Sequence, residues 1–308
     1  MALSWTRRYE TGSRRCTATR CHELPGGDGY RRSMGERDSA AGAAQSLGVA
    51  RTAWFDLALP PDAVHFGVPS LTATIVLAFD RPTDVGWADE AGHGEFRVLV
   101  AGLHTRPSLV RTHGRQHGMQ LALSPWGVRT LLGVPLATIT RHILELGDLP
   151  AAPLHRLVTA VLDAPDHARP AMLRRGLVET AGGLDRTRST RPRPEVVEAW
   201  RLIRTSRGTE SIDAIARAVG WSRRHLSAQF GGEFGLRPKE AARIARFETA
   251  RALAHEGLDL ATVAATAGYA DQSHLTRDWT ATTGRAPARS LRTEFPNVQD
   301  LTRAGGAQ

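Results

Sequence analysis

One pattern occurs twice near the C-terminal end of this 308-residue chain, and it restricts the fold more than any other feature. Ala214-Ile-Ala-Arg-Ala-Val-Gly-Trp221 matches Thr262-Val-Ala-Ala-Thr-Ala-Gly-Tyr269 at an offset of 48 residues. One residue is then inserted, and His225-Leu226, Phe230, Gly235 and Pro238 match His274-Leu275, Trp279, Gly284 and Pro287 at an offset of 49. Agreement at so many positions marks two copies of one supersecondary unit.

Each copy carries the physical marks of a helix-turn-helix. A small residue, Ala216 or Ala264, lets the first helix approach the second. Four residues on, Gly220 or Gly268 stands where the turn needs a left-handed backbone, which glycine adopts at least cost. Ser222 or Asp271 follows as a helix cap able to accept from exposed backbone N–H groups. Leu226 and Phe230, or Leu275 and Trp279, recur at spacing four and bury one face. The free face then carries Arg223, Arg224, Ser227 and Ala228 in the first copy, and Gln272, Ser273, His274, Thr276 and Arg277 in the second. Arg pairs bidentately with guanine, Gln with adenine, Ser or Thr with either, and Ala touches a thymine methyl, so these types suit a DNA major groove. Between the copies, Pro238 to His255 reads as one helix with Ile244, Phe247, Ala250 and Leu253/Ala254 inward. Its 18 or so residues span roughly 27 Å, comparable with the ~34 Å of one DNA turn.

These stretches resemble the double helix-turn-helix domain of the AraC/XylS family of bacterial transcriptional regulators. The likeness runs from about 195 to 293 through Ile215–Phe230, Gly235-Leu-Arg-Pro238, Arg246–Leu253 and Ala264–Trp279 on to Gly284-Arg-Ala-Pro287. It implies seven helices, base contacts from both recognition helices, and an N-terminal domain for effector sensing or dimerisation. By position, base reading falls on Arg224, Ser227 and Ala228 in the first helix and on Gln272, Ser273, His274 and Arg277 in the second. Ala241 and Ser290 depart from the pattern, each standing where the family often has an aromatic residue.

Charge agrees with this division. The chain has 40 basic and 31 acidic side chains, net +9, and Lys239 is its single lysine. Residues 1–46 hold net +3, 47–190 only +1, and 191–308 hold +5, so the middle segment is not built for a polyanion. GC-rich coding alone would also favour arginine over lysine. Arg, Gly and Ser dominate 1–46, which reads as a disordered tail. Met34 offers a second start of translation there. Cys16 and Cys21 with His22 fall short of the four ligands zinc normally takes. No apolar run approaches a membrane span or signal peptide, so a cytoplasmic protein without membrane association is expected.

Residues 47–181 read as an effector-binding or dimerisation domain. Leu71–Phe79, Phe96–Ala101, Ser108–Thr112 and Gly118–Leu123 are β-prone runs, followed by helical patterns at Trp126–Leu132, Leu136–Leu146 and Leu154–Leu162. The order resembles the cupin-like sensory domains of the same family. The expected fold class is therefore α+β: a β-rich cupin-like sensor with helices, then an all-α double helix-turn-helix domain. A basic linker covers 182–194, the DNA-binding domain 195–295, and a polar tail 296–308. His104, His113 and His117 lie close in sequence, but no H-x-H…E spacing accompanies them, and hydrogen-bonded or solvent-facing histidines are the simpler reading. Trp54, Phe55, Phe66, Phe79, Trp87, Phe96 and Trp126 serve either an apolar pocket or the core.

The expected protein is a sequence-specific DNA-binding transcription factor, not an enzyme, needing no metal or cofactor. Its partners are double-stranded DNA through the major groove, a small-molecule effector, a second copy of the chain, and RNA polymerase if it activates. The competing class fuses the DNA-binding module to a cupin-like metal enzyme or an alkyl-transfer DNA repair regulator. Those need a ligand pattern or cysteines that this chain does not offer. Nonspecific architectural binding is a third reading, under which specificity ratios stay near one.

Overall fold

The computed structural model describes residues 48–183 and 192–293. The expected tails and most of the expected linker, with Cys16, Cys21 and Met34, lie outside them. Among the described residues, nine strands form two antiparallel sheets. The larger has the order β1 (Val49–Leu57), β8 (Gln116–Leu123), β3 (Ala73–Ala78), β6 (Val98–Ala101) and β9 (Ile143–Glu145). The smaller runs β2 (Val64–Gly67), β7 (Ser108–Arg111), β4 (Thr83–Trp87) and β5 (His93–Phe96). Alternation along β3 explains the layering: Ala73, Ile75 and Leu77 are buried in the main core, while Thr74, Val76 and Ala78 face a cavity on the side of the smaller sheet.

Two expectations need correction. The run Phe96–Ala101 is two strands, because the chain changes sheets at Arg97: Phe96 pairs with Thr83, whereas Val98 pairs with Leu77. Glu145 stabilises the crossing by accepting from the N–H groups of Arg97 and Val98, both at 2.8 Å. The pattern over Leu136–Leu146 is helical only for Leu136–Ile139. Arg141 then takes φ +66°, and Ile143–Glu145 becomes a strand. Pairing with β6 satisfies backbone groups that a lone helical turn would leave open, so tertiary context overrides the local period.

Four helices accompany the sheets: α1 (Pro125–Leu132), α2 (Leu136–Ile139), α3 (Ala152–Asp163) and α4 (Arg169–Gly183). Seven more follow among the described residues: α5 (Pro194–Thr205), α6 (Ile212–Ala218), α7 (Arg223–Phe234), α8 (Pro238–His255), α9 (Leu260–Thr266), α10 (Gln272–Thr283) and α11 (Pro287–Thr293). One apolar cluster runs from Ile75 and Leu121 in the sheet through Leu132 to Trp200, Phe230 and Phe234 in the helical part. Polar contacts join the same two regions. Arg129 grips Glu233 with two hydrogen bonds of 2.8 and 2.6 Å, and the Thr140 hydroxyl donates to the Phe234 carbonyl at 2.7 Å. The Leu71 N–H donates to Glu248 at 3.0 Å, and Arg285 lies over the Phe66 ring at 4.0 Å.

Candidate nucleic-acid interface and ligand cavity

The two repeats fold alike down to their caps. Ser211 caps α6 by accepting from Ala214 N at 3.1 Å, and Asp259 caps α9 by accepting from Ala261 and Thr262 N at 3.0 Å each. The turns close with Trp221 N donating to Ala216 O and Tyr269 N to Ala264 O, both at 2.9 Å. Gly220 and Gly268 have φ of +73° and +79°, the left-handed conformation that their positions demand. The second helices start at Ser222 and Asp271, which accept from the N–H groups of His225 at 3.2 Å and His274 at 2.6 Å. Leu226, Phe230, Leu275 and Trp279 are fully buried, so α7 and α10 each present one fixed face outward.

Six of the nine expected reading residues are exposed: Arg223, Arg224 and Ala228 on α7, and Gln272, Ser273 and Arg277 on α10. Ser227, His274 and Thr276 are half-buried. Arg223 lies 3.5 Å from Asp213 on the preceding helix, and Arg277 Nε donates to the Ser273 carbonyl at 3.3 Å. The His274 ring meets Tyr269 edge-on at 5.2 Å, just as His225 meets Trp221 at 4.6 Å. In both copies a histidine therefore braces the aromatic residue of the turn.

A family model described as a helix-turn-helix domain matches residues 215–293. Residues 215–293 form an AraC-type helix-turn-helix domain. No curated protein matches the chain. Among solved structures, ToxT from Vibrio cholerae is similar at 13% identity and a TM-score of 0.46, over 78% of this chain and 96% of that one. The C-terminal domain of AraT, a response regulator from Geobacillus stearothermophilus, is 23% identical with a TM-score of 0.32, over 34% of this chain and 90% of its own. The AraC-like transcriptional activator CuxR is 16% identical with a TM-score of 0.25, over 64% and 75%. The assignment of the AraC-type domain rests on the family match and the doubled helix-turn-helix geometry.

Sequence reasoning missed a network that fixes the second recognition helix of the AraC-type domain. Asp278 accepts from the Arg243 guanidinium on α8 and from the Tyr269 hydroxyl at 2.9 Å. Arg243 also donates to Thr282 at 3.2 Å. Burial, with the Asp278 charge beside it, pushes the Tyr269 hydroxyl well above its usual range. The aligned residue of the first copy is Gln229, so the ionic contact belongs to the second unit alone. A carboxylate beside the apolar stripe of an amphipathic helix was the available signal.

Between the two sheets lies a cavity of about 210 Å³. Trp54, Phe55, Phe66 and Trp87 line it, whereas Phe79 and Phe96 belong to the core and Trp126 packs against Phe234 at 6.0 Å. The three front-domain histidines all line this cavity but do not converge on one point. His104 Nδ1 lies 2.6 Å from the Arg106 carbonyl, His113 Nε2 lies 2.7 Å from Asp84, and His117 sits between Trp54 and Phe79 at 5.4 and 5.1 Å. No cluster of three metal-ligating side chains occurs among the described residues. Nor is any described helix long and apolar enough to cross a membrane.

Proposed function

We propose that this chain is a sequence-specific DNA-binding transcription regulator of the AraC/XylS type, controlled by a small molecule held between the two sheets. The carrying observation is the pair of capped recognition helices, each with one face buried and the other offering Arg, Gln and Ser to solvent. Helix α8 joins them rigidly, which sets their separation near one DNA turn. Arg224, Ser227 and Ala228 read bases from α7, with Arg223 beside them; Gln272, Ser273 and Arg277 read from α10, with His274 and Thr276 at the edge of that face. The cavity supplies a place for an effector, and the contacts at Glu233, Glu248 and Arg285 supply its route to the DNA-binding domain.

Chromosomal DNA as partner implies work in the cytoplasm, a second copy on a two-site operator, and RNA polymerase as a further partner of an activating form. Gel-shift titration on the chain's own upstream region tests the reading. Site-specific binding that weakens steeply with salt is expected. Arg277→Ala is expected to cost ~1–3 kcal/mol on that site if it reads a guanine. Equal affinity for all duplexes, unaffected by the substitution, would leave only nonspecific binding.

A further inference from the structure

The chemistry of the cavity wall narrows what it accepts. Small and apolar side chains cover the inner face of the larger sheet, among them Ala53, Val76, Ala78, Leu99 and Ala101. Val85, Leu99 and Val110 on this wall form an apolar cluster with Phe96 of the core, and Val76 and Ile143 pack against it. Into this face projects Gln120, which stands on β8 between Ala53 of β1 and Val76 of β3. Thr74 is its diagonal neighbour on the same face, since Thr74 pairs with Ala122 and Val76 with Gln120. Neither the Gln120 amide nor the Thr74 hydroxyl makes a side-chain hydrogen bond to any described residue. An amide in such a setting gains from a ligand atom that supplies the missing partner.

Three arginines and Asp56 lie on the wall, and one of the arginines is already tied to carboxylates. Arg115 holds Asp56 at 2.7 and 2.8 Å and Asp80 at 3.2 Å. Arg251 lies within the field of Glu248, three residues before it on α8. Arg81 is exposed to solvent at the rim. Burial pulls His65 and His104 down to about 4, so both rings are neutral near pH 7 and anchor no anion. A carboxylate seated beside Gln120 and Thr74 sheds its hydration for the apolar face of Ala53 and Val76, a far greater cost than a carbonyl or hydroxyl group bears.

We propose that the cavity takes a neutral, largely apolar molecule with one carbonyl or hydroxyl group, seated with that group on Gln120 and Thr74 and its hydrocarbon body toward Val76, Leu99 and Val110. The volume, below the ~300 Å³ at which drug-sized pockets begin, limits it to a compact molecule. This deepens the effector reading and rests on it for its purpose.

The test is isothermal titration calorimetry on the full chain with two matched pairs: 2-acetylnaphthalene against 2-naphthoate, and 2-nonanone against nonanoate. Each ketone is expected to bind at least tenfold tighter than its carboxylate. Gln120→Leu and Thr74→Val are each expected to weaken ketone binding by about five- to tenfold, the effect of one lost hydrogen bond. Tighter or equal binding of the carboxylates overturns the proposal and leaves the effector reading standing. Absence of binding by all four molecules also overturns it. Ketone binding that leaves the affinity for upstream DNA unchanged keeps the ligand class and instead removes regulation through this cavity.

Discussion

The Arg129–Glu233 pair offers the sharpest test of how the β-rich domain and the helical domain are joined. Arg129 lies near the end of α1 and Glu233 in the last turn of the first recognition helix, bonded at 2.8 and 2.6 Å with side chains only 13% and 11% exposed. Arg129→Met keeps much of the side-chain volume but strands the Glu233 carboxylate in the interface. Removing one member of a buried pair costs ~3–5 kcal/mol, and partial access to water favours the lower end. At 2–4 °C per kcal/mol for a protein of this size, about 3 kcal/mol lowers Tm by roughly 6–12 °C. The double variant Arg129→Met/Glu233→Leu removes both charges and is expected to recover most of that loss, because a buried pair contributes little net stability over an apolar replacement. Differential scanning calorimetry on the four proteins of the cycle reads the coupling. Arg201→Ala breaks the exposed Arg201–Glu198 pair and serves as the control, with no measurable shift expected. A double variant that melts as low as Arg129→Met, or a single variant that melts with wild type, refutes the reasoning.

Gly235→Ala and Gly220→Ala separate backbone strain from crowding. Both glycines have left-handed φ, but a Cβ on Gly235 meets Thr140 Cβ at 2.6 Å while one on Gly220 meets open space. The first substitution should cost about 2–4 kcal/mol and the second about 1–2 kcal/mol by thermal melts, and equal losses would contradict the docking of α2 on α7. Protonation of His65 and His104 supplies an acid dependence. Their rings face the cavity rather than bulk water, and burial lowers both to about 4 in the fold against 6.5 in the unfolded chain. The unfolded state therefore binds protons first as pH falls through 6.5, and stability declines until about pH 4 by up to roughly 3 kcal/mol per histidine. Melts of wild type and of His104→Gln from pH 7.5 to 4.5 should converge at the acid end, and parallel curves would refute the assignment. Asp278→Asn removes the charge that holds Arg243 and Tyr269, at about 1–2 kcal/mol. Footprinting should then weaken at the half-site read by α10 and not at that read by α7, while uniform weakening would show a loss of the whole fold.

What was legible in the sequence follows the range of the interactions that decide it. Ala216, Gly220, Ser222 and Leu226 occupy eleven consecutive residues, and each acts through backbone geometry within its own unit, so the helix-turn-helix could be read directly. Residues 143–145 went the other way, since their strand partner is β6, some forty residues earlier, and their own period is helical. The Arg129–Glu233 contact spans 104 residues and leaves no trace in either local pattern. His104, His113 and His117 were near in sequence yet meet different partners, because alternation along β8 and the loops before it sends neighbouring side chains in different directions. All three reach the wall of one cavity, yet their proximity in the chain did not bring them to one point within it.

The two recognition helices are held by different means, and the difference bears on control. The first leans on the β-rich domain: Glu233 is gripped by Arg129, the Phe234 carbonyl by Thr140, and Phe234 itself packs on Trp126. The second is fixed within its own domain by Asp278, Arg243 and Tyr269. It meets the β-rich domain where Phe66 lies under Arg285, where Val68 joins the cluster around Phe247 and Trp279, and where Pro107 stands beside Gly284. Phe66 and Val68 also line the cavity, and Leu71 just beyond donates to Glu248 on the helix between the two readers. A side chain packed in a close-filled core changes place in steps rather than by continuous yielding. A molecule that displaces residues 66–71 therefore acts on the spacer helix and the second unit at once, while α1 and α2 hold the end of the first. On the proposed reading, the variable under the cavity's control is the placement of one reader relative to the other, the quantity on which simultaneous entry into successive grooves depends.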